Sequence, residues 1–277
     1  MKYDLSIVIA HFKPKELINN PLIKTISEIN NQKNQFNIEI IIADDGSLYD
    51  YSFEKNYSIK NNFKGEDVYI LENQILNEFL VAQNLNISGI SKWAHYPKIN
   101  NSMNKAFITN CAVNISKSEN LLLLDDDNYF ISSNTIENII ILLKSYNLII
   151  GQIQDNNNRI RNYKSNRVQG TTICFNKQIF DDINGLGEWT EEFSCGVDSD
   201  LWIKLFNYNK EHEINICYTN RIQTYDSCSK RWKKYTKIFK DYTVRKEFMK
   251  LYGIKNYKSV KHNPSRNKNL WIKNLID

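Results

Sequence analysis

Three consecutive aspartates, Asp125-Asp126-Asp127, close a run of four leucines, Leu121 to Leu124. Carboxylates crowded together repel one another. A hard divalent cation relieves that repulsion, because Mg2+ and similar ions take oxygen ligands and bridge carboxylate to phosphate. The leucine run reads as a fully buried strand, and in open α/β sheets ligands sit outside the carboxyl ends of the strands. The pattern suits a metal–phosphate site; the alternative is an acidic turn on the surface. Two further apolar runs end in polar clusters. Residues 38–43 break into Asp44-Asp45-Gly46-Ser47, and residues 5–10 into His11-Phe12-Lys13-Pro14. Each ending alone is explained as a turn. Together they imply a cleft along one sheet edge.

Buried strands separated by helical segments indicate a parallel α/β sheet. Lys15 to Gln32 carries apolar residues at Leu17, Ile18, Leu22, Ile26 and Ile29, which predicts a helix with a break at Pro21. Val68 to Leu71 reads as a short strand, and Asn73 to Pro97 as a helical insertion carrying Trp93, His95 and Tyr96. Met103 to Ser116 predicts the helix before the acidic strand. Ser133 to Ser145 predicts the helix after it, capped by Ser132 or Ser133. Leu148 to Ile153 and Gly170 to Phe175 are strand-like, and Asp200 to Phe206 is helical. Between those strands, residues 154–169 are rich in Asn and Arg and predict a mobile loop. Arg159, Arg161 and Lys164 there either gather an anionic ligand or remain solvated.

At 277 residues and 42% hydrophobic content, the chain can bury one large core. Five cysteines (Cys111, Cys174, Cys195, Cys217, Cys228) include no C-x-x-C pair, which fits free thiols in a reducing cytoplasm. The start, Met1-Lys2-Tyr3-Asp4, leads straight into a strand without the pattern of a signal peptide, and no apolar stretch is long enough to span a membrane. Charge is unevenly spread. From Lys230 onward there are 15 basic and 3 acidic residues, a net +12, against about −7 for the remainder. Residues 231–251 set Trp232, Tyr235, Phe239, Tyr242 and Phe248 among lysines at roughly helical spacing. This is either a membrane-surface element or a helix packed on the domain with a solvated basic face. Nucleic acid is not an expected partner, since the chain contains no recognised nucleic-acid module.

Ser6 to His11, Ile40 to Ser47 and Leu121 to Asp127, followed by Gly196-Val197-Asp198-Ser199-Asp200-Leu201-Trp202, together resemble a family 2 glycosyltransferase of the GT-A fold, over roughly residues 1–210. The resemblance implies an α/β architecture: a Rossmann-type mixed, mainly parallel sheet flanked by helices, with a basic helical C-terminal extension. It divides the chain into a transferase domain, 1–229, and an extension, 230–277. Within the domain, 1–130 would handle nucleotide sugar and metal and 131–229 the acceptor. Ala10, His11 and Asp45 would hold the nucleotide. Asp45 would accept from the base, which favours a UDP-sugar without excluding guanosine or thymidine nucleotides. Asp127, with Asp125, would hold Mn2+ or Mg2+ on the diphosphate, with Asp126 beside the donor. Lys105 would be the basic residue near the diphosphate; the alternative is a surface lysine. Asp198 would be the catalytic base, and Asp200 a second acid on the acceptor side. Trp189 would be the aromatic platform under the acceptor sugar, or else a buried tryptophan.

The implied reaction is inverting transfer from a nucleotide sugar to a glycan or lipid-linked glycan. It would serve bacterial surface polysaccharide synthesis in the cytoplasm, peripheral to the inner face of the membrane if the basic tail meets anionic lipid. Three departures stand out. Ala10-His11-Phe12 replaces the Pro-Thr/Ala-Tyr-Asn of many relatives, and Val197 replaces the usual glutamate. Tyr225-Asp226-Ser227 stands where many carry a metal-approaching histidine, with Asp226 a weak substitute. Two rivals remain. A haloacid dehalogenase-like phosphatase also places D-x-D after an apolar strand, but it prefers Thr or Val where Tyr129 stands and leaves Asp44 to Ser47 and Gly196 to Trp202 unexplained. The other is a catalytically inactive transferase-fold binding subunit, favoured by Val197 and the unusual end of the first strand.

Overall fold

A computed structural model describes residues 2–15, 17, 19–33, 35–97, 103–155, 159–165, 168–227, 237–254 and 263–277. The first half builds β1 (Leu5–His11), α1 (Pro21–Asn30), β2 (Ile38–Asp44), the hairpin β3 (Ile59–Phe63) and β4 (Glu66–Leu71), α2 (Asn73–Ala82), β5 (Lys92–His95), α3 (Lys105–Asn114), β6 (Asn120–Asp125) and β7 (Asn128–Phe130). The second half adds α4 (Thr135–Leu143), β8 (Leu148–Asp155), β9 (Ile160–Arg161), β10 (Ile173–Asn176), α5 (Lys177–Asp182) and a 3-10 turn (Glu188–Phe193). It ends with α6 (Val197–His212), β11 (Ile216–Asp226), α7 (Lys237–Tyr252) and β12 (Asn274–Ile276).

The described strands form one mixed sheet in the order β12-β11-β8-β10-β6-β1-β2-β5-β4-β3. Its centre is parallel: β6, β1, β2 and β5 run together, and β10 enters antiparallel between β6 and β8. Each central strand is apolar on both faces because helices cover both. Val8, Ile41, Leu121 and Leu123 face α3, α5 and α6. Ile7, Ile9, Ile40, Ile42, Leu122 and Leu124 face α1, α2 and α4. Register then fixes the cleft. Ala10 sits opposite Ala43 on one side and Asp125 on the other, and His11 opposite Asp44, so all three polar strand ends emerge level.

Several local expectations are corrected. The first helix begins at Pro21 instead of continuing from Lys15. Proline lacks the N–H that an interior position needs and suits the first turn, while the Asn20 side chain caps Leu22 N. Residues 73–97 hold α2 and then a strand, so Trp93 and His95 lie in β5. The cap of α4 is Asn134, which makes no side-chain cap bond, in place of a serine. The stretch read as a mobile loop carries β8 on to Asp155 and contains β9, paired with β8.

At the C-terminus, α7 packs through Val244 and Phe248, and β12 extends the sheet beside β11. Trp202, Trp271 and Ile272 share one core cluster. Cys111, Cys174 and Cys217 are buried free thiols; Cys228 lies outside the described residues, as do Trp232, Tyr235 and the side chain of Phe239. Among the described residues, no helix is long and apolar enough to cross a membrane.

Candidate functional site

The level strand ends open onto a cavity of about 340 Å³. β1 contributes Ala10, His11 and Phe12 to it, β2 and its turn Ala43 and Asp45, and β6 and its turn Asp125 to Asn128. Lys105 enters from the N-terminus of α3 and Asp198 from that of α6. Gly170, Thr171, Arg161 and Asp226 close the remaining side.

The acidic turn is held open by its middle member. Asp126 is 1% exposed and points under the cleft, where its Oδ2 lies 2.5 Å from His11 Nδ1. His11 Nε2 in turn lies 2.9 Å from the Tyr49 hydroxyl. Asp126 N donates to Ala10 O, and Thr25 donates through Oγ1 to Asp126 O. His11 and Asp126 both line the cavity, with their side chains hydrogen-bonded to each other. On either side of Asp126, Asp125 and Asp127, two residues apart, line the cleft.

Asp125 accepts a 2.6 Å hydrogen bond from Lys105 Nζ, and its backbone N–H donates to Thr171 Oγ1. Its carboxyl is pushed up to about 6. Burial is the main cause; Lys105 pulls the other way, and Asp127 and Asp198 add to the rise. Burial on its own would lower the Lys105 ammonium, but Asp125, Asp198 and Asp127 raise it. Three carboxylates thus share one ammonium.

This donor set fits a divalent ion only when a ligand completes it. Among the described residues, no group of three or more His, Cys, Asp and Glu could hold an ion by itself. Mg2+-type sites commonly use one or two carboxylates plus the oxygens of a substrate diphosphate. Asp125 and Asp127 supply that pair. Asp226, the substitute for a third ligand, is instead committed to Arg161, with Nη2 to Oδ2 at 2.5 Å.

Asp45 is buried, and its two oxygens accept from the backbone and side-chain nitrogens of Asn104, each at 3.0 Å. Asp44 points away from the cleft. It accepts from Trp93 Nε1 and Ser47 N and lies 2.8 Å from His95 Nδ1. Burial would raise its carboxyl, yet His95, His11 and Ser47 hold it down to about 2.

Asp198 stands in the first turn of α6, where the helix dipole favours a carboxylate. Its carboxylate lies directly over Gly170: a Cβ there would fall 2.0 Å from Oδ1. Asp200 and Trp189 occupy a different place. Neither lines the cavity. Asp200 is fully buried, accepting from Trp189 Nε1 at 2.9 Å and from the Tyr252 hydroxyl. The Trp189 ring packs edge-on against Phe248 at 5.0 Å. Both residues hold α7, through Tyr252 and Phe248, and Trp189 itself is half-buried. Val197, at the usual glutamate position, is buried in the core. Thr171 and Gly170 line the cavity with no signal in the sequence, whereas Arg161 is one of three cations in a polar stretch.

In sequence, no family model and no curated relative matches the chain. In structure, it is similar to S. aureus TarS, with a TM-score of 0.50 and 12% identity, covering 83% of this chain and 37% of that one. It is also similar to the mannosyltransferase PcManGT from Pyrobaculum calidifontis, solved in complex with GDP-Man and Mn2+, with a TM-score of 0.50 and 10% identity, covering 83% of this chain and 59% of that one. The chain thus spans less than two thirds of the length of either protein. The likeness establishes the fold: a mixed α/β sheet of the GT-A-like glycosyltransferase kind.

Proposed function

We propose that the chain is a metal-dependent inverting glycosyltransferase that takes a sugar from a nucleoside diphosphate donor. The observation that carries this reading is the meeting of Asp45, Lys105, Asp125, Asp127 and Asp198 in one cavity at the carboxyl ends of β1, β2 and β6. Asp45 would orient the base; each carboxylate oxygen has more than one lone pair, so a base N–H can be accepted beside Asn104. Asp125 and Asp127 would hold Mn2+ or Mg2+. Bound there, the ion supplies Lewis-acid stabilisation of the departing diphosphate. Lys105 would offer a second positive charge to that diphosphate. Asp198 would take the proton of the acceptor hydroxyl as the oxygen attacks the anomeric carbon from the opposite face. The acceptor is proposed to be a glycan or lipid-linked glycan of bacterial surface polysaccharide, handled at the cytoplasmic face of the membrane.

Uridine is favoured as the base by the Asp45 reading, whereas one structural neighbour, PcManGT, was solved with GDP-Man. Calorimetric titration of UDP, GDP, dTDP and CMP, each with Mn2+ and with EDTA, decides between them. Metal-dependent binding of one diphosphate supports the reading; no binding by any removes it. The outward side of α7 supports an anionic membrane surface as a further partner. Tyr242 and Met249 are 59% and 48% exposed there, beside exposed Lys246 and Lys250, in a segment of strong positive charge.

A further inference from the structure

A diphosphate brings negative charge into a cavity lined, among the described residues, by six aspartates and two permanent cations, of which Lys105 is already paired with Asp125. The second cation is Arg161. It is not a solvated loop residue. Its strand, β9, is paired to β8 through Ile153, and its carbonyl accepts a 2.8 Å hydrogen bond from the Tyr218 hydroxyl. The side chain is 13% exposed, and its partner Asp226 is 10% exposed. Asp226 is fixed in turn at the end of β11, where the next residue, Ser227, donates its N–H to Asp127 O at 3.0 Å. The guanidinium therefore stands beside the metal-side turn. One of its donors is unused: Nε is buried without a hydrogen-bond partner. An orphaned buried donor is costly, and native structures seldom retain one without a role.

We infer that Arg161 is a second phosphate-binding residue of this cleft, held in place by Asp226 until the donor's diphosphate takes it over. The inference rests on the sugar-nucleotide reading of the cavity. An arginine is suited to such an exchange because its planar fork matches carboxylate and phosphate oxygens alike. Asp226 keeps the cation compensated and pointed inward in the empty cleft. A phosphate oxygen would then replace the carboxylate and also satisfy the unused Nε–H. In this arrangement Asp226 is a positioning residue that competes with the ligand.

The test is calorimetric titration of UDP and GDP in Mn2+ on the full chain, comparing wild type with Arg161→Gln, Arg161→Lys and Asp226→Asn, each checked for an unchanged melting profile. Loss of charge-assisted hydrogen bonds in Arg161→Gln should weaken diphosphate binding at least ~10-fold, with partial recovery in Arg161→Lys. Asp226→Asn, which removes the competitor, should bind the diphosphate more tightly than wild type. A purely structural ion pair would not give that opposite sign: both variants weakening in parallel, or Arg161→Gln binding like wild type, overturns the inference while the cavity reading stands. If Arg161→Gln binds the nucleotide normally but its nucleotide complex no longer takes up inorganic phosphate that the wild-type complex binds, the residue serves a phosphate on the acceptor, and the donor assignment is overturned. Failure of wild type to bind either nucleotide ends the sugar-nucleotide reading and this inference with it.

Discussion

Alanine at Gly170 tests the role of Asp198 without altering any carboxylate. A Cβ at position 170 would lie 2.0 Å from Asp198 Oδ1 and 2.4 Å from its Cγ. Ordinary contact needs about 3.5 Å, so the carboxylate must withdraw by roughly 1–1.5 Å. A general base acts only within hydrogen-bond reach of the proton it removes, and a misplacement of about 1 Å costs on the order of 100-fold in rate. That loss corresponds to ~2.7 kcal/mol of barrier. The backbone adds nothing to the strain, since Gly170 is not in the left-handed region. Overpacking should lower stability by about 1–3 kcal/mol, leaving the fold intact. The assay pairs the release of nucleoside diphosphate from the sugar nucleotide that binds best with calorimetry of the same donor. Turnover should fall by about two orders of magnitude while donor affinity is retained. A folded Gly170→Ala variant that turns over like wild type would show that no critical proton passes through a carboxylate in that position, and Asp198 would lose its role.

Three further outcomes are expected. Phe248 is fully buried between Trp189 and Gly196, so Phe248→Ala should cost about 3–5 kcal/mol in denaturant unfolding; an unchanged midpoint would mean that α7 does not dock. Burial, together with Glu188 and Asp45, pushes the Glu191 carboxyl up to about 7, although the Phe107 N–H works against the rise. Because the folded state prefers the protonated acid, stability is full below about pH 4.3 and falls as pH rises toward 7. Glu191→Gln should therefore raise the melting temperature at pH 8, by a gain of about 1 kcal/mol after allowance for partial exposure, and leave it unchanged at pH 4; equal shifts at both values would refute this. Reversing charge on the outer face of α7, Lys246→Glu with Lys250→Glu, should abolish co-sedimentation with phosphatidylglycerol vesicles, and retention on neutral vesicles alone would discard the electrostatic reading.

The central strands were legible because burial on both faces demands unbroken apolar runs, which Ile7 to Ile9, Ile40 to Ile42 and Leu121 to Leu124 supply. Their common level was not legible, since register depends on pairing between distant segments. The β3–β4 hairpin escaped notice for a local reason. Its turn is Lys64-Gly65, both at positive φ, and lysine is not a residue that announces such a turn. β5 was hidden because four residues, Lys92 to His95, are too few to show a period. Lys92 is buried there only because Glu39 of β2 pairs with it, a partnership between residues 53 positions apart. Among the site residues, sequence types alone could not say which aspartates face the ligand. Asp44 and Asp45 are adjacent, yet one carboxylate meets Trp93 and His95 in the interior while the other lines the cavity. The alternation of side chains along a strand sends neighbours to opposite faces, and only the fold decides which face is the cleft.

The same reasoning bears on the two departures that favoured an inactive subunit. Val197 stands where a glutamate is usual, but its side chain belongs to the core beneath α6, while Asp198, one residue on, reaches the cavity. A carboxylate buried at position 197 would need a partner to offset its desolvation, so valine there removes an electrostatic burden without removing a cavity acid. His11 likewise takes no acid away from the cavity that it lines. Its ring is 2% exposed and hydrogen-bonded to Asp126, the middle member of the acidic turn. With His11 in place the Asp126 carboxylate, between Asp125 and Asp127, has a buried hydrogen-bond partner. Both departures therefore act on the support of the carboxylates and not on their presence.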